Sequence, residues 1–190
     1  MSALIRSQRK AAQEPQDRQG VRGEQYLTFT VTGEVFGVAI ASIKEIIEHR
    51  ATTEVPMMPE FTRGIINLRG RVVPVIDLAV RFGRPRSEVT RRSCIVIVEA
   101  RQGTEQQDLG VLVDAVSAVA EIPDADIEPP PSFGAKLRSD FITGMGKIDE
   151  KFVILLDVSK VLSIEELSTL GDIAQEREGE ESPVAESARG

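Results

Sequence analysis

The sequence predicts a mainly β protein built from two packed small β-barrels that arose by internal duplication, with a few short helices. Three observations predict it. Apolar stretches are short and alternate with polar residues, as in QYLTFTV at 25–31, which is the period-2 pattern of strands. The chain is also self-similar. FGVAIASIKEIIE (36–48) matches LGVLVDAVSAVAE (109–121), and FTRGIINLRGRVVPVIDLAVRF (61–82) matches FITGMGKIDEKFVILLDVSKVL (141–162). Finally, a β-barrel of about 70 residues buries too little surface to be stable alone, so two copies are expected to pack together.

Taken in order, residues 1–24 are polar, rich in Gln and Arg, and are expected to form a disordered tail. A first barrel is expected over about 25–90 and a second over about 91–170. Tyr26, Thr28 and Thr30 alternate with Leu27, Phe29 and Val31 in a strand; Thr32-Gly33-Glu34 is a turn, and Val35–Ile40 returns. Pro74, in VVPVID, cannot donate to a sheet ladder, so its strand is expected at an edge or at a bulge. Asp77 and Asp157 occupy matching places and each precedes a short apolar helix pattern, so both are read as helix caps accepting unpaired amide hydrogens. Gly83 can close the first helix. Ser163, three residues before Glu166, forms a second capping pattern leading to Leu170. Residues 171–190 are acidic and expected to be a second solvated tail.

Chemistry is thin. The chain has one cysteine and one histidine, so neither an internal disulfide nor a His/Cys metal cluster can be built. Cys94 lies in the apolar run SCIVIVEA and is expected to be a buried, inert thiol; His49 is expected to be solvated at the end of an element. Paired acids from duplicated lobes could share a proton as in aspartic proteases. Those enzymes follow each acid with a small hydroxyl residue and glycine, whereas Leu78-Ala79 and Val158-Ser159 follow here. Thr143–Lys147 (TGMGK) lacks the spacing of a phosphate loop and is read as a turn. No nucleophile–base pair or metal set stands out, so no catalytic residue, cofactor or metal is expected. The N-terminus lacks the apolar core of a signal peptide, and no apolar run approaches the ~20 residues that span a bilayer. A cytoplasmic protein is expected.

Eight arginines fall between Arg63 and Arg92, and a small barrel with a cationic patch could bind single-stranded nucleic acid. That mode needs aromatic platforms, yet aromatics are 4% of the chain and RPRSEVTRRS (84–93) holds none. The net charge of −7 also opposes general nucleic-acid affinity, and 84–93 reads as a solvated loop. Arg69 stands apart, in an apolar-flanked Asn67-Leu68-Arg69-Gly70. Its guanidinium calls for a carboxylate, with Glu45 and Glu48 as candidates.

The string G-x-x-N-L-R-G-x-V-x-P-V-x-D-L at Gly64–Leu78, together with QYLTFTVTGEVFGVAI, SIKEIIE and ITGMGKIDEKFVILLDVSKVL, resembles the CheW-like domain family of bacterial chemotaxis. The resemblance covers roughly 24–170. Nothing resembles a kinase ATP-binding domain, and too few residues follow Leu170 for a receiver domain, so a stand-alone scaffold is implied. The family implies two five-stranded, SH3-like barrels side by side and a non-catalytic adaptor. It would couple the cytoplasmic tip of methyl-accepting chemoreceptors to the regulatory domain of a CheA-type histidine kinase. Other CheW-like domains in array rings are further implied partners; nucleic acid and direct membrane insertion are not. Location would be cytoplasmic, at membrane-associated arrays. The matching positions of the receptor-binding groove are Ile43, Glu45, Gly64, Asn67, Arg69 and Val119, with a Glu45–Arg69 pair across it. Kinase-facing residues are not marked by these motifs.

Overall fold

In the computed structural model the described residues are 23–102, 105–130, 140–162, 166, 169–170 and 172. Nearly all of both expected tails lies outside them, as does Ser163. The first half of the chain runs β1 (Gly23–Val31), β2 (Glu34–Ala39), β3 (Ile43–Glu48), β4 (Thr62–Leu68), β5 (Arg71–Asp77) and the single-turn helix α1 (Leu78–Arg81). The second half repeats the series as β6 (Cys94–Gln102), β7 (Glu105–Val113), β8 (Ala115–Pro123), β9 (Ile127–Glu128), β10 (Ile142–Ile148), β11 (Lys151–Leu156) and α2 (Val158–Val161).

These strands form two sheets, ordered β8-β1-β2-β11-β10-β9 and β3-β6-β7-β5-β4. Each closes on itself. A single 3-10 turn, Asp124–Asp126, joins β8 to β9, so the two ends of the first sheet are one bent segment. In the second, the chain leaving β3 reaches β4 through a two-way bridge: Thr53 N–H donates to the Ile65 carbonyl at 2.9 Å, and Ile65 N–H donates back at 2.8 Å. Closure removes the open edges that small sheets otherwise expose.

The duplication is visible in matched irregularities. Bulges fall between Thr62 and Gly64 and between Ile142 and Gly144. Each barrel contains one parallel ladder, β2 with β11 and β7 with β5, and each joins one repeat to the other. The expected division near residue 90 needs correction, because neither barrel is contiguous in sequence. One takes β1 and β2 from the first repeat and β8–β11 from the second; the other takes β3–β5 from the first and β6–β7 from the second. Sheet pairing depends on spatial neighbours, and similarity along the chain identifies the repeats without saying which strands exchange.

The exchange leaves central strands buried on both faces. Along β6, Ile95 and Ile97 fill one barrel, while Val96, Val98 and Ala100 face a core shared between the barrels. Along β1, Tyr26 belongs to the interior cluster of the other barrel, and Leu27, Phe29 and Val31 belong to the shared core. The period-2 alternation therefore separates two apolar environments rather than core from water. Phe29, Phe36, Phe82 and Phe141 form a stacked series through the shared core, with centroid separations of 6.3, 5.4 and 5.2 Å. Each such contact contributes about 0.5–1.5 kcal/mol beyond area burial.

Five local expectations change. Of the two alternatives for Pro74 the edge is excluded, since β5 lies between β7 and β4, while the β4–β5 ladder does carry a bulge beside it, between Thr62 and Gly64. The proline is tolerated because the parallel ladder with β7 begins one residue later, at Val75, where the missing N–H is not needed. Thr143–Lys147 lies within β10 and is not a turn. Cys94 and His49 are each half-buried rather than fully buried or solvated. Within 84–93, Ser87 and Ser93 are buried, so the segment is anchored rather than simply solvated.

Candidate functional site

The β4–β5 hairpin presents the site. Leu68 pairs with Arg71, leaving Arg69 and Gly70 as a two-residue turn with φ of +54° and +84°. Positive φ at both positions gives the turn the twist of its strands. Gly70 N–H donates to Asn67 Oδ1 at 2.9 Å, pinning the turn. From it the Arg69 side chain makes a bidentate pair with Glu45: Nη1–Oε1 is 2.8 Å and Nη2–Oε2 is 3.0 Å. Strands β3 and β4 are the two ends of their sheet, so this pair spans the closure of the barrel. Glu48, the other candidate, lies an odd number of residues away on β3 and points to the opposite face.

The guanidinium is 78% exposed and the carboxylate 24%. Such a pair is worth less than ~1 kcal/mol to stability. Two of the five N–H donors of Arg69 engage Glu45 in this fork; the guanidinium geometry lets others reach an incoming acceptor.

The remaining groove positions divide. Ile43 pairs with Val98 across β3–β6, and Val119 pairs with Leu27 across β8–β1. Val98 and Leu27 both belong to the shared core, so Ile43 and Val119 flank the seam between the barrels. Val119 is among the exposed large apolar residues. Gly64 is buried with φ +128°, and a Cβ there would lie 2.3 Å from the Thr53 carbonyl oxygen. Its place in the motif follows from barrel closure: only glycine lets the bridging segment approach.

Asp77 is fully buried. Its Oδ1 accepts from Ala79 N–H at 3.0 Å, capping α1, and from Ser87 Oγ at 2.9 Å. Its Oδ2 accepts from Ser87 N–H at 2.9 Å and Arg63 Nε at 3.0 Å. Arg63 also donates to the Ser87 carbonyl. Asp157 accepts from Ser159 N–H at 3.0 Å and meets Lys160 at 3.2 Å. The two acids are thus engaged by separate partners, an arrangement unsuited to sharing a proton. Among the described residues no His/Cys/Asp/Glu group is placed to hold a metal.

The arginine cluster resolves into ion pairs. Arg63 meets Asp77, Arg71 meets Asp108, Arg81 meets Glu166, and Arg84 meets Glu34. Asp108 also receives Lys44 at 2.5 Å, and that hydrogen bond holds the Lys44 ammonium above its ordinary pKa. Hydrogen bonds from Arg101 and then Lys44 hold Glu99 below the usual carboxylate value. Ser87 and Asp108 were not legible as partners, because nothing in SEVT or QQDL distinguishes them from solvated polar residues.

Two repeats exchanging strands around one shared core, with an ion-paired hairpin beside the seam, define a duplicated double-barrel scaffold domain. Residues 25–166 match the CheW-like domain. A chemotaxis protein CheW of Klebsiella aerogenes is 32% identical over 153 residues, covering 80% of this chain and 90% of that protein. A probable chemotaxis protein CheW of Rhizobium etli is 34% identical over 137 residues, covering 72% and 86% respectively. The crystal structure of the scaffolding protein TtCheW from Thermoanaerobacter tengcongensis superposes with a TM-score of 0.68 at 32% identity, covering 80% of this chain and 96% of that one. The chain belongs to the CheW-like domain family.

Proposed function

We propose that this protein is a non-catalytic chemotaxis adaptor that couples the cytoplasmic tip of methyl-accepting chemoreceptors to the regulatory domain of a CheA-type histidine kinase. It works in the cytoplasm, at membrane-associated arrays reached through these partners. The observation that carries the reading is the bidentate Arg69–Glu45 pair beside the seam. Its guanidinium is too exposed to matter much for folding, and it is held in one orientation by a pinned turn. Ile43 and Val119 supply apolar contact to a receptor helix, Asn67 and Gly64 shape the hairpin, and Arg69 orients the helix by hydrogen bonding. The adaptor catalyses nothing; it holds the kinase where receptor conformation changes the contacts available in its active and inactive arrangements.

Calorimetric titration against the regulatory domain of a CheA-type kinase from the same cell should show a Kd of about 1 μM or tighter at physiological salt. No heat at several temperatures, with a second method agreeing, removes the proposal. Arg69→Glu should weaken receptor binding by about tenfold or more, equivalent to ~1.4 kcal/mol, and leave kinase binding unchanged. The competing oligonucleotide reading requires binding that strengthens as salt falls. With five arginines committed to carboxylates, no such binding is expected.

A further inference from the structure

Arg86, Arg91 and Arg92 make no ion pair with a described residue, and all three line one open cleft. Its volume is about 1000 Å³. The cleft lies between the segment 84–92 and the β1–β2 turn, where Thr32 meets Asp114. Its walls add the hydroxyls of Thr30 and Thr90 to the guanidinium groups, with Glu88 and Asp114 as the carboxylates among the described residues. Asp114 accepts from Thr32 N–H at 2.6 Å and keeps its charge, and Arg84 on the rim donates to Glu34 at 2.6 Å. Three guanidinium groups thus face two carboxylates, and the cleft is positive by one charge. On a chain of net charge −7, this is a local cationic trough.

We infer that the acidic segment 173–190 of the same chain docks in this trough. Residues 173–190 carry five glutamates against two arginines, the charge the trough lacks. The segment is also tethered nearby. Leu170 is fully buried in the shared core, and Glu166 pairs through both oxygens with Arg81, three residues before Arg84. From Asp172 the remaining residues reach up to about 60 Å when extended, ample to cross the cleft. A tether of this kind gives a high effective concentration, so weak individual contacts suffice. The contact is electrostatic and exposed, and salt should release it.

The test uses the full chain with Cys94→Ser and a nitroxide on Ser187→Cys, read by amide NMR. Signals of residues 84–92 and of the Thr32 turn should lose most of their intensity at about 0.05 M salt and recover at about 0.5 M. Arg91→Glu with Arg92→Glu should restore them at low salt, and the spectrum of that variant reports directly that it remains folded. Unaffected signals, or broadening spread evenly over the surface and indifferent to the double variant, would overturn the inference. So would broadening that grows with protein concentration, since that places the segment on another copy.

Discussion

Asp77 and Asp157 occupy equivalent positions and cap equivalent helices, yet their surroundings assign them different energies. Asp157 is 29% exposed at its side chain, and Asp157→Ala should cost about 1 kcal/mol, the ordinary value of a cap. Asp77 is fully buried against Arg63, and Asp77→Ala strands that guanidinium, which should cost about 3–5 kcal/mol. Urea unfolding of both variants checks this; equal costs would mean that Arg63 and Ser87 add nothing to the cap. The capping role was legible from one acid preceding an apolar helix pattern. The buried pair was not, because Ser87 lies in a stretch whose composition says only that it is polar. His49 supplies a pH signature. Burial, then the nearby Arg63 charge, lowers its pKa from the ordinary value. The native state therefore resists protonation, and below about pH 6.5 the unfolded chain binds the proton first, so stability falls on acidification. Wild type should lose more stability than His49→Gln between pH 7.5 and 5.5; equal losses would show that His49 is not the group responsible.

At the scale of elements, the two glycines of the β4–β5 hairpin serve different ends. Gly70 has φ +84° with open space around it, so Gly70→Ala should cost about 1–2 kcal/mol from backbone strain alone. Gly64 combines positive φ with the close Thr53 backbone that shuts the barrel. Gly64→Ala should cost about 2–5 kcal/mol, adding overpacking to strain. Denaturant midpoints rank the two variants, and a smaller effect at Gly64 would show that the closing segment yields freely. Pro74 teaches the same lesson about position. Its lack of a donor was evident in the sequence, but whether that places it on an edge depends on where the neighbouring ladder begins.

For the whole molecule, strand exchange makes the two halves interdependent. A fragment ending at residue 90 holds three strands of one barrel and two of the other, each missing its partners. Neither that fragment nor its complement from residue 91 should unfold cooperatively alone. Mixed in equal amounts, they should regain dispersed amide signals and a cooperative urea transition. Independent folding of either fragment would mean that exchange is not required. The shared core explains the expectation, since Leu27 and Phe29 pack with Val96 and Val111 from the other repeat.

Strand periodicity, both aspartate caps and the family motif can be read from residues close together along the chain, and the duplication from comparing its two halves. The sequence also narrowed the partner of Arg69 to two glutamates on one strand. Only the folded chain shows that the strands exchange between barrels and that Asp77 is bound to Ser87. Those outcomes depend on which distant segments lie side by side when a barrel closes. Period-2 patterning says that a strand has two faces, but only the neighbouring sheet decides what each face meets.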